Sequence, residues 1–375
     1  MLIAVPKEIR EGEKRVALVP DVINKLTRLG LDVVIESGAG LHSQASDAEF
    51  VAAGAKVESG DVLKSADVVL SVQPLTAAQM ATLKKGAVTI SFLSVVTAAD
   101  SIDAAASAGV TAFSLELVPR ISRAQSMDAL TSQALCAGYR AAIVGAELSP
   151  RFFPLLMTAA GTVTPAQVLV LGAGVAGLQA IATTRRLGAV VSAYDVRPSS
   201  ADEVKSMGAT FIELELESLA GAGGYAREMT EDRAAKQREL LTPYIAKSHV
   251  LITTAAVPGR TAPRLVTAEM VNSMAPGTVI VDLAAETGGN VEGSKPGEIV
   301  TTANGVQIWG GKDVPSQLPF HASSLYSRNV VNLLTLLTVP PAEGTKAALN
   351  LNFEDEIIDG SAVTHAGSRR GGGAK

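Results

Sequence analysis

Residues 166–197 read AQVLVLGAGVAGLQAIATTRRLGAVVSAYDVR. The Val/Leu run at 167–171 predicts a buried strand, 175–187 an apolar-periodic helix, and 190–194 a second strand ending on Asp195. Between strand and helix stand Gly172, Gly174 and Gly177, in the G-x-G-x-x-G order that admits a dinucleotide. Gly172 permits the tight turn, Gly174 lets backbone approach a pyrophosphate, and Gly177 lets the helix pack close on the strand. Val175 and Ala176 open the helix, whose first N–H groups have no partner within it and point at the phosphates. A glycine turn alone is weak evidence, but here a strand precedes it, a helix follows it, and an acid ends the next strand about twenty residues on. A carboxylate at Asp195 accepts from both ribose hydroxyls and repels a 2′-phosphate, so the site favours NAD over NADP. Val196 and Arg197 follow it. An arginine just past a strand is more often solvated than engaged, and Arg197 is read that way.

The chain has 375 residues, enough for two domains, with 47% hydrophobic and only 4% aromatic residues and 34 glycines. That is the usage of alternating strands and helices with many tight turns. A net charge of −5 offers no basic face, and no nucleic-acid partner is expected. The lone Cys136 excludes an internal disulfide and fits a reducing compartment, and His42, His249, His321 and His365 lack metal-ligand spacing. The opening MLIAVPKE is a strand rather than a signal peptide. Residues 152–184 carry no charge, yet Gly161, Pro165 and the three motif glycines break them into strand and helix pieces, so a soluble chain is expected.

The expected fold is α/β: two Rossmann-like domains with parallel sheets, joined by two long helices, with a cleft between them. Residues 1–125 alternate strands (2–5, 32–35, 68–71, 88–92, 111–114) with helices and carry no glycine fingerprint. A long helix over 126–150 leads into a dinucleotide domain at 151–320, and a second at 321–337 returns the chain. Residues 338–375 rejoin the first domain, which is thereby discontinuous. The ending SRRGGGAK reads as a disordered terminus.

Four further stretches are candidates for chemistry. VPRISRAQSMD (118–128) places Arg120, Arg123, Gln125 and Asp128 at the domain junction. They are either solvated arginines beside a Ser126 N-cap and a first-turn acid, or a polar loop over the nicotinamide. AGAGGYAREM (220–229) is either a flexible connection or a lid carrying Tyr225. The loops at 253–263 and 281–290 follow strands of the dinucleotide domain, where ligand contacts belong, and supply Ala255, Asp282, Leu283 and Asn290. Asp282 is either such a contact or a turn cap.

PKEIREGEKRVALVP, RISRAQSMD, MTAAGTV, LGAGVAGLQAI, GGYAREM, VPGRTAP, MAPGTVIVDLAAETGGN and PGEIVTTANGV together resemble the NAD(H)-binding alpha subunit of proton-translocating nicotinamide nucleotide transhydrogenase, and its relative alanine dehydrogenase. The resemblance covers nearly the whole chain to about Asp359. It implies a chain that holds NAD(H) while a partner subunit holds NADP(H), with hydride passing directly between the nicotinamides. A membrane-spanning subunit couples that transfer to proton movement. The chain would be a homodimer, peripheral on the cytoplasmic side of the membrane, and nearly inactive alone. Matched to the family's loop, Arg120 and Asp128 hold the nicotinamide end and Gln125 bridges towards NADP(H). Thr131 stands where the family often has serine, Tyr225 is the tyrosine of its mobile loop, and Asp195 its adenosine-ribose acid. The positions read as matching alanine dehydrogenase's lysine and histidine are Ser71 and Phe92. Neither side chain supplies the cation or acid–base group that deamination needs, whereas hydride transfer between nicotinamides needs only positioning and water exclusion. The alternatives are an alanine dehydrogenase-like enzyme and a non-catalytic NAD-sensing module.

Overall fold

The computed structural model describes residues 1–216, 230–256, 260–341 and 347–371. The chain divides into two compact units, Met1–Gln133 with Pro315–Lys375, and Ala134–Val314.

The first unit is built on a six-stranded sheet of β1 (Leu2–Val5), β2 (Asp32–Glu36), β3 (Lys56–Glu58), β4 (Val68–Leu70), β5 (Val88–Ser91) and β6 (Thr111–Ser114). Its order is β3-β2-β1-β4-β5-β6, and every pairing is parallel. Successive side chains of a strand point to opposite faces, and here both faces are covered. Ile3, Val33, Ile35, Val68 and Leu70 pack into one apolar cluster with the helix Pro20–Arg28, while Ala4, Val34 and Val69 pack into another with Met80 and Ile102.

The helix Pro319–Leu336, expected to return the chain to the first domain, lies in the first unit and buries Tyr326, Val330, Val331, Leu333 and Leu334 in the first cluster. One expectation for this unit changes. The tail is ordered at least through residue 371. Thr364–His365 and Ser368–Arg369 form a hairpin beside the edge strand β6, where the Thr364 hydroxyl accepts from the Ala112 N–H. Arg369 pairs with Asp103, and Arg370 pairs with Asp359 and lies 4.1 Å over the Phe353 ring. Composition suggested disorder, but these arginines have partners distant in sequence, and the hairpin shields an otherwise open sheet edge.

The second unit starts within the helix Ala129–Leu148, whose Ala141 and Val144 join its core, and continues with the hairpin β7 (Leu156–Thr158) and β8 (Gly161–Val163). Its sheet contains β9 (Gln167–Leu171), β10 (Val190–Tyr194), β11 (Thr210–Phe211), β12 (Val250–Thr253), β13 (Val279–Asp282), β14 (Ile299–Thr301) and β15 (Gln307–Gly310). The order is β11-β10-β9-β12-β13-β15-β14, parallel except for the edge strand β14. Again alternate residues separate: Val168 and Val170 face one cluster, Leu169 and Leu171 the other. Successive strands build outward from β9 first to one side and then to the other, so the order reverses at its carboxyl end, where ligands of open α/β sheets bind. The charge-free residues 152–184 fold into the hairpin, β9 and the start of the helix Val175–Arg186. Among the described residues no helix is long and apolar enough to cross a membrane.

Candidate functional site

The glycine turn sits at the end of β9. Gly172 has φ +100°, a conformation that favours glycine, and a Cβ there would come within 2.6 Å of the Thr254 hydroxyl. A Cβ on Gly177 would overlap the Gly172 carbonyl, so this glycine sets the close approach of helix to strand. Gly174 differs: a Cβ there meets nothing within 4 Å, so the turn is open where a ligand would lie. Gly174 is also the N-cap of the helix Val175–Arg186 and provides no side chain to cap it. The N–H groups opening that helix at Val175 and Ala176 therefore lack a side-chain acceptor from the cap. From behind, Gly138 packs against the Ala176 backbone, where any larger residue would clash.

Asp195 is joined to this turn, because its carboxylate accepts from the Ala173 N–H at 2.7 Å. It also accepts from Arg197: the backbone N–H and Nε reach Oδ1 at 2.9 Å each, and Nη2 reaches Oδ2 at 3.0 Å. The bonds to Asp195 hold the Arg197 guanidinium above its ordinary pKa. The expectation of a solvated Arg197 is thus overturned: its side chain is 19% exposed and that of Asp195 is 8%. Val196 packs partly into the apolar cluster beneath.

At the ends of β12 and β13 the expected contacts become supports. Asp282 is fully buried. Its Oδ1 accepts from Thr253, Ala284 and Asn290, and its Oδ2 from the Val291 N–H. Asn290 is also fully buried and pairs with both the N–H and the carbonyl of Ala255, bonding Pro263 besides. Asp282 thus caps its turn, and Asn290 ties together the loops that follow neighbouring strands. Ala255 and Leu283 remain partly exposed at those strand ends. Tyr225 lies outside the described residues.

The loop 118–131 belongs to the first unit. Residues Ser122–Met127 form a 3-10 turn anchored by buried Ala124 and Met127, leaving Arg120 and Gln125 exposed. Two clamps hold it. Arg123 forks onto Asp355 at 2.8 and 3.0 Å, and the Ser126 carbonyl accepts from both Asn329 and Asn332. One of the two readings made Ser126 the cap of the long helix; the helix Ala129–Leu148 begins later, and Asp128 accepts from the Thr131 N–H and hydroxyl at 2.8 and 2.7 Å. That bond pairs two of the candidate residues. The double change Asn329→Ala/Asn332→Ala is expected to lower unfolding free energy by about 1–3 kcal/mol, since it leaves the carbonyl unpaired. It should also speed amide hydrogen exchange over 122–128. Unchanged exchange would mean the loop is held otherwise.

A further cluster escaped sequence reading. Glu13 and Arg15 form a buried pair, with Gln133 accepting from Arg15 and Gln73 and Ser316 donating to Glu13. Burial pushes the Glu13 carboxyl up, but the bonds from Arg15, Gln73 and Ser316 outweigh it and hold the pKa at about 2. Beside the pair is a cavity of about 480 Å³ lined by Lys7, Glu8, Arg10, Gln73, Phe92 and Glu116, among others. The Ser71 hydroxyl donates to the Gln73 carbonyl, and the Phe92 ring packs 5.3 Å from Tyr326. The side chains two residues on, Gln73 and Ser94, also line the cavity. Neither strand end brings a lysine or a histidine to it; Lys7 comes from beyond β1 and is exposed. The signal in the sequence was the run of charges in KEIREGEKR, in which Glu13 and Arg15 pair with each other and find their neutral partners far along the chain.

Glu8 lines that cavity with its pKa raised to about 7, because burial and then the nearby Glu13 charge outweigh the bonds it accepts from Val72 and Gln73. A carboxyl raised on folding contributes stability that is full below pH 4.5 and is lost as pH climbs through about 7. Glu8→Gln should match the wild type at about pH 4.5 and gain on it by up to about 3 kcal/mol by pH 8. Denaturant unfolding at the two pH values checks this; a difference independent of pH would refute it.

Family models match nearly the whole chain: the alanine dehydrogenase/PNT N-terminal domain over residues 4–137 and its C-terminal domain over 141–370. An NAD(P) transhydrogenase alpha-subunit chain of Rhodospirillum rubrum is 47% identical over 98% of this chain and 97% of its own. The structure of the transhydrogenase from Sinorhizobium meliloti superimposes with a TM-score of 0.85 at 43% identity, covering 98% of both chains. An L-alanine dehydrogenase structure gives 0.80 at 25% identity, over 98% of this chain and 96% of that one.

Proposed function

We infer a function from one premise: this chain belongs to the alanine dehydrogenase/PNT family. Within that family it acts as the NAD(H)-binding component of a proton-translocating transhydrogenase. The glycine turn seats the pyrophosphate and Asp195 the adenosine ribose, with Val175, Ala176, Val196, Arg197, Ala255, Leu283 and Tyr225 around them. Arg120 and Asp128 hold the nicotinamide end, Thr131 fixes the Asp128 carboxylate, and Gln125 reaches towards NADP(H) on a partner subunit. When bound, the dinucleotide supplies the carbon that gives or takes hydride; this chain's residues position it and exclude water. A membrane-spanning subunit couples the transfer to proton movement, and this chain docks on it peripherally from the cytoplasmic side. A homodimer is supported by the exposed apolar residues around the hairpin, Phe152, Leu155 and Met157, the last 80% exposed.

The observation that favours this reading over an amino-acid dehydrogenase is the cavity beside Glu8. The ends of β4 and β5 supply no lysine or histidine to handle a carboxylate and an imine, and Arg15 is already spent on Glu13 and Gln133. Calorimetric titration tests the binding half: NADH should bind at least about tenfold tighter than NADPH, because Asp195 repels a 2′-phosphate. NAD with alanine should yield no NADH. Equal binding of the two dinucleotides, or steady alanine oxidation, would overturn the proposal.

A further inference from the structure

A carboxylate has two oxygens and about four lone-pair positions. At Asp195 the structure fills them all: Oδ1 with the Arg197 N–H and Nε, Oδ2 with the Ala173 N–H and Arg197 Nη2. Two of these donors are fixed backbone. The other two belong to one side chain, and among the described residues these are the donors that a change of rotamer can withdraw. A ribose presents two hydroxyl donors at a similar spacing. The fork of Arg197 therefore holds the positions that a diol needs, one on each oxygen.

We propose that the Arg197 guanidinium occupies the ribose seat on Asp195 and is displaced when a dinucleotide binds, so that it limits affinity for NAD(H), while the Asp195 carboxylate guards against a 2′-phosphate. This rests on the reading of the glycine turn as an NAD(H) site. Displacement exchanges a charge-assisted, bidentate pair for two neutral-donor bonds, so part of the binding free energy is spent on opening the seat. The released guanidinium is not stranded. Glu203, in the helix Ser200–Ser206, acts on it and offers a second carboxylate. The consequence for turnover is a dinucleotide that is held selectively but can leave. The guard is conditional, because Arg197 beside a neutral residue 195 becomes a bidentate partner for phosphate.

Calorimetric titration of the full chain with NADH and NADPH tests this, using wild type, Arg197→Gln, Arg197→Lys and Asp195→Asn, with thermal melts to confirm folding. Arg197→Gln should bind NADH about five- to tenfold tighter than wild type, with NADPH still weak. Arg197→Lys, which has a point charge in place of a fork, should fall between. Asp195→Asn should lose NADH affinity and gain NADPH affinity about tenfold. Wild type that binds NADH while Arg197→Gln binds it equally or more weakly overturns the proposal and leaves the site intact, as does an Asp195→Asn chain that gains nothing for NADPH. Folded protein that binds NADH in no version overturns the NAD(H) reading itself, and the displacement with it.

Discussion

Arg15→Met is expected to lower unfolding free energy by about 3–5 kcal/mol, the range for breaking a buried ion pair from one side. The reason is what remains. The Glu13 side chain is 0% exposed, so without Arg15 it is a charge in the interior with no cation beside it, held by Gln73, Ser316 and the backbone N–H groups of residues 14 and 15. Its pKa, held at about 2 against the ordinary 4.5, says the same thing in another form: the pair's contribution is present above pH 4.5 and fades only as pH falls through about 2. The double change Glu13→Gln/Arg15→Met should recover most of the loss, since it removes both charges and keeps a hydrogen-bonding side chain. Urea unfolding followed by far-ultraviolet circular dichroism measures both variants. A loss below about 1 kcal/mol for Arg15→Met would show that the network carries little of the first unit's stability.

The second large effect separates the glycines of the turn. Gly177→Val places side-chain atoms onto the Gly172 carbonyl, so the helix Val175–Arg186 must lift from the strand that positions it. Both stability and NADH binding should suffer, the first by about 1–3 kcal/mol or more and the second by at least about a hundredfold. Gly174→Ala is the contrast. Its Cβ has open space within 4 Å, and the backbone there is extended (φ −75°, ψ −169°), which alanine adopts freely. Stability should stay within about 0.5 kcal/mol, while NADH affinity falls about tenfold or more because the methyl stands where the pyrophosphate must come close. Thermal melts and titration with NADH decide it. Unchanged affinity in a folded Gly174→Ala chain would mean the phosphates do not lie on this turn.

How much of this was legible beforehand follows from the range of the interactions. The strands Gln167–Leu171 and Val190–Tyr194 and the helix between them are set by local periodicity and by glycines whose roles lie within a few residues, and the expected boundaries match to within a residue. The doubly covered parallel sheets likewise follow from apolar runs without alternation. What was hidden depends on partners far along the chain. Arg123 finds Asp355, Ser126 is held by Asn329 and Asn332, and Glu13 meets Ser316. None of these pairings leaves a periodic trace. The pairing of Arg197 with Asp195 is only two residues long, but it depends on how the chain turns after β10, and propensity favoured solvent. The start of SRRGGGAK was misread for the same reason: composition counts its glycines and charges, not the ion pairs of Arg369 with Asp103 and Arg370 with Asp359, while residues 372–375 lie outside the described residues.

The proposed direct passage of hydride between a dinucleotide on this chain and another on a partner has an isotopic signature. It is tested most directly by mixing the chain with an NADP(H)-binding partner subunit, NADPH deuterated at the transferring C4 position, and an NAD⁺ analogue whose reduced form absorbs separately. The C–D bond of NADPH breaks with its electron pair, leaving NADP⁺, and the deuteride forms the new C–D bond at C4 of the analogue, with no proton exchanged. Reduction is expected well above the rate of either protein alone, with deuterium retained in the product, and a fall of about a hundredfold or more in Gln125→Asn without loss of NADH binding. A mixture no faster than the partner alone, or deuterium lost to water, would contradict it.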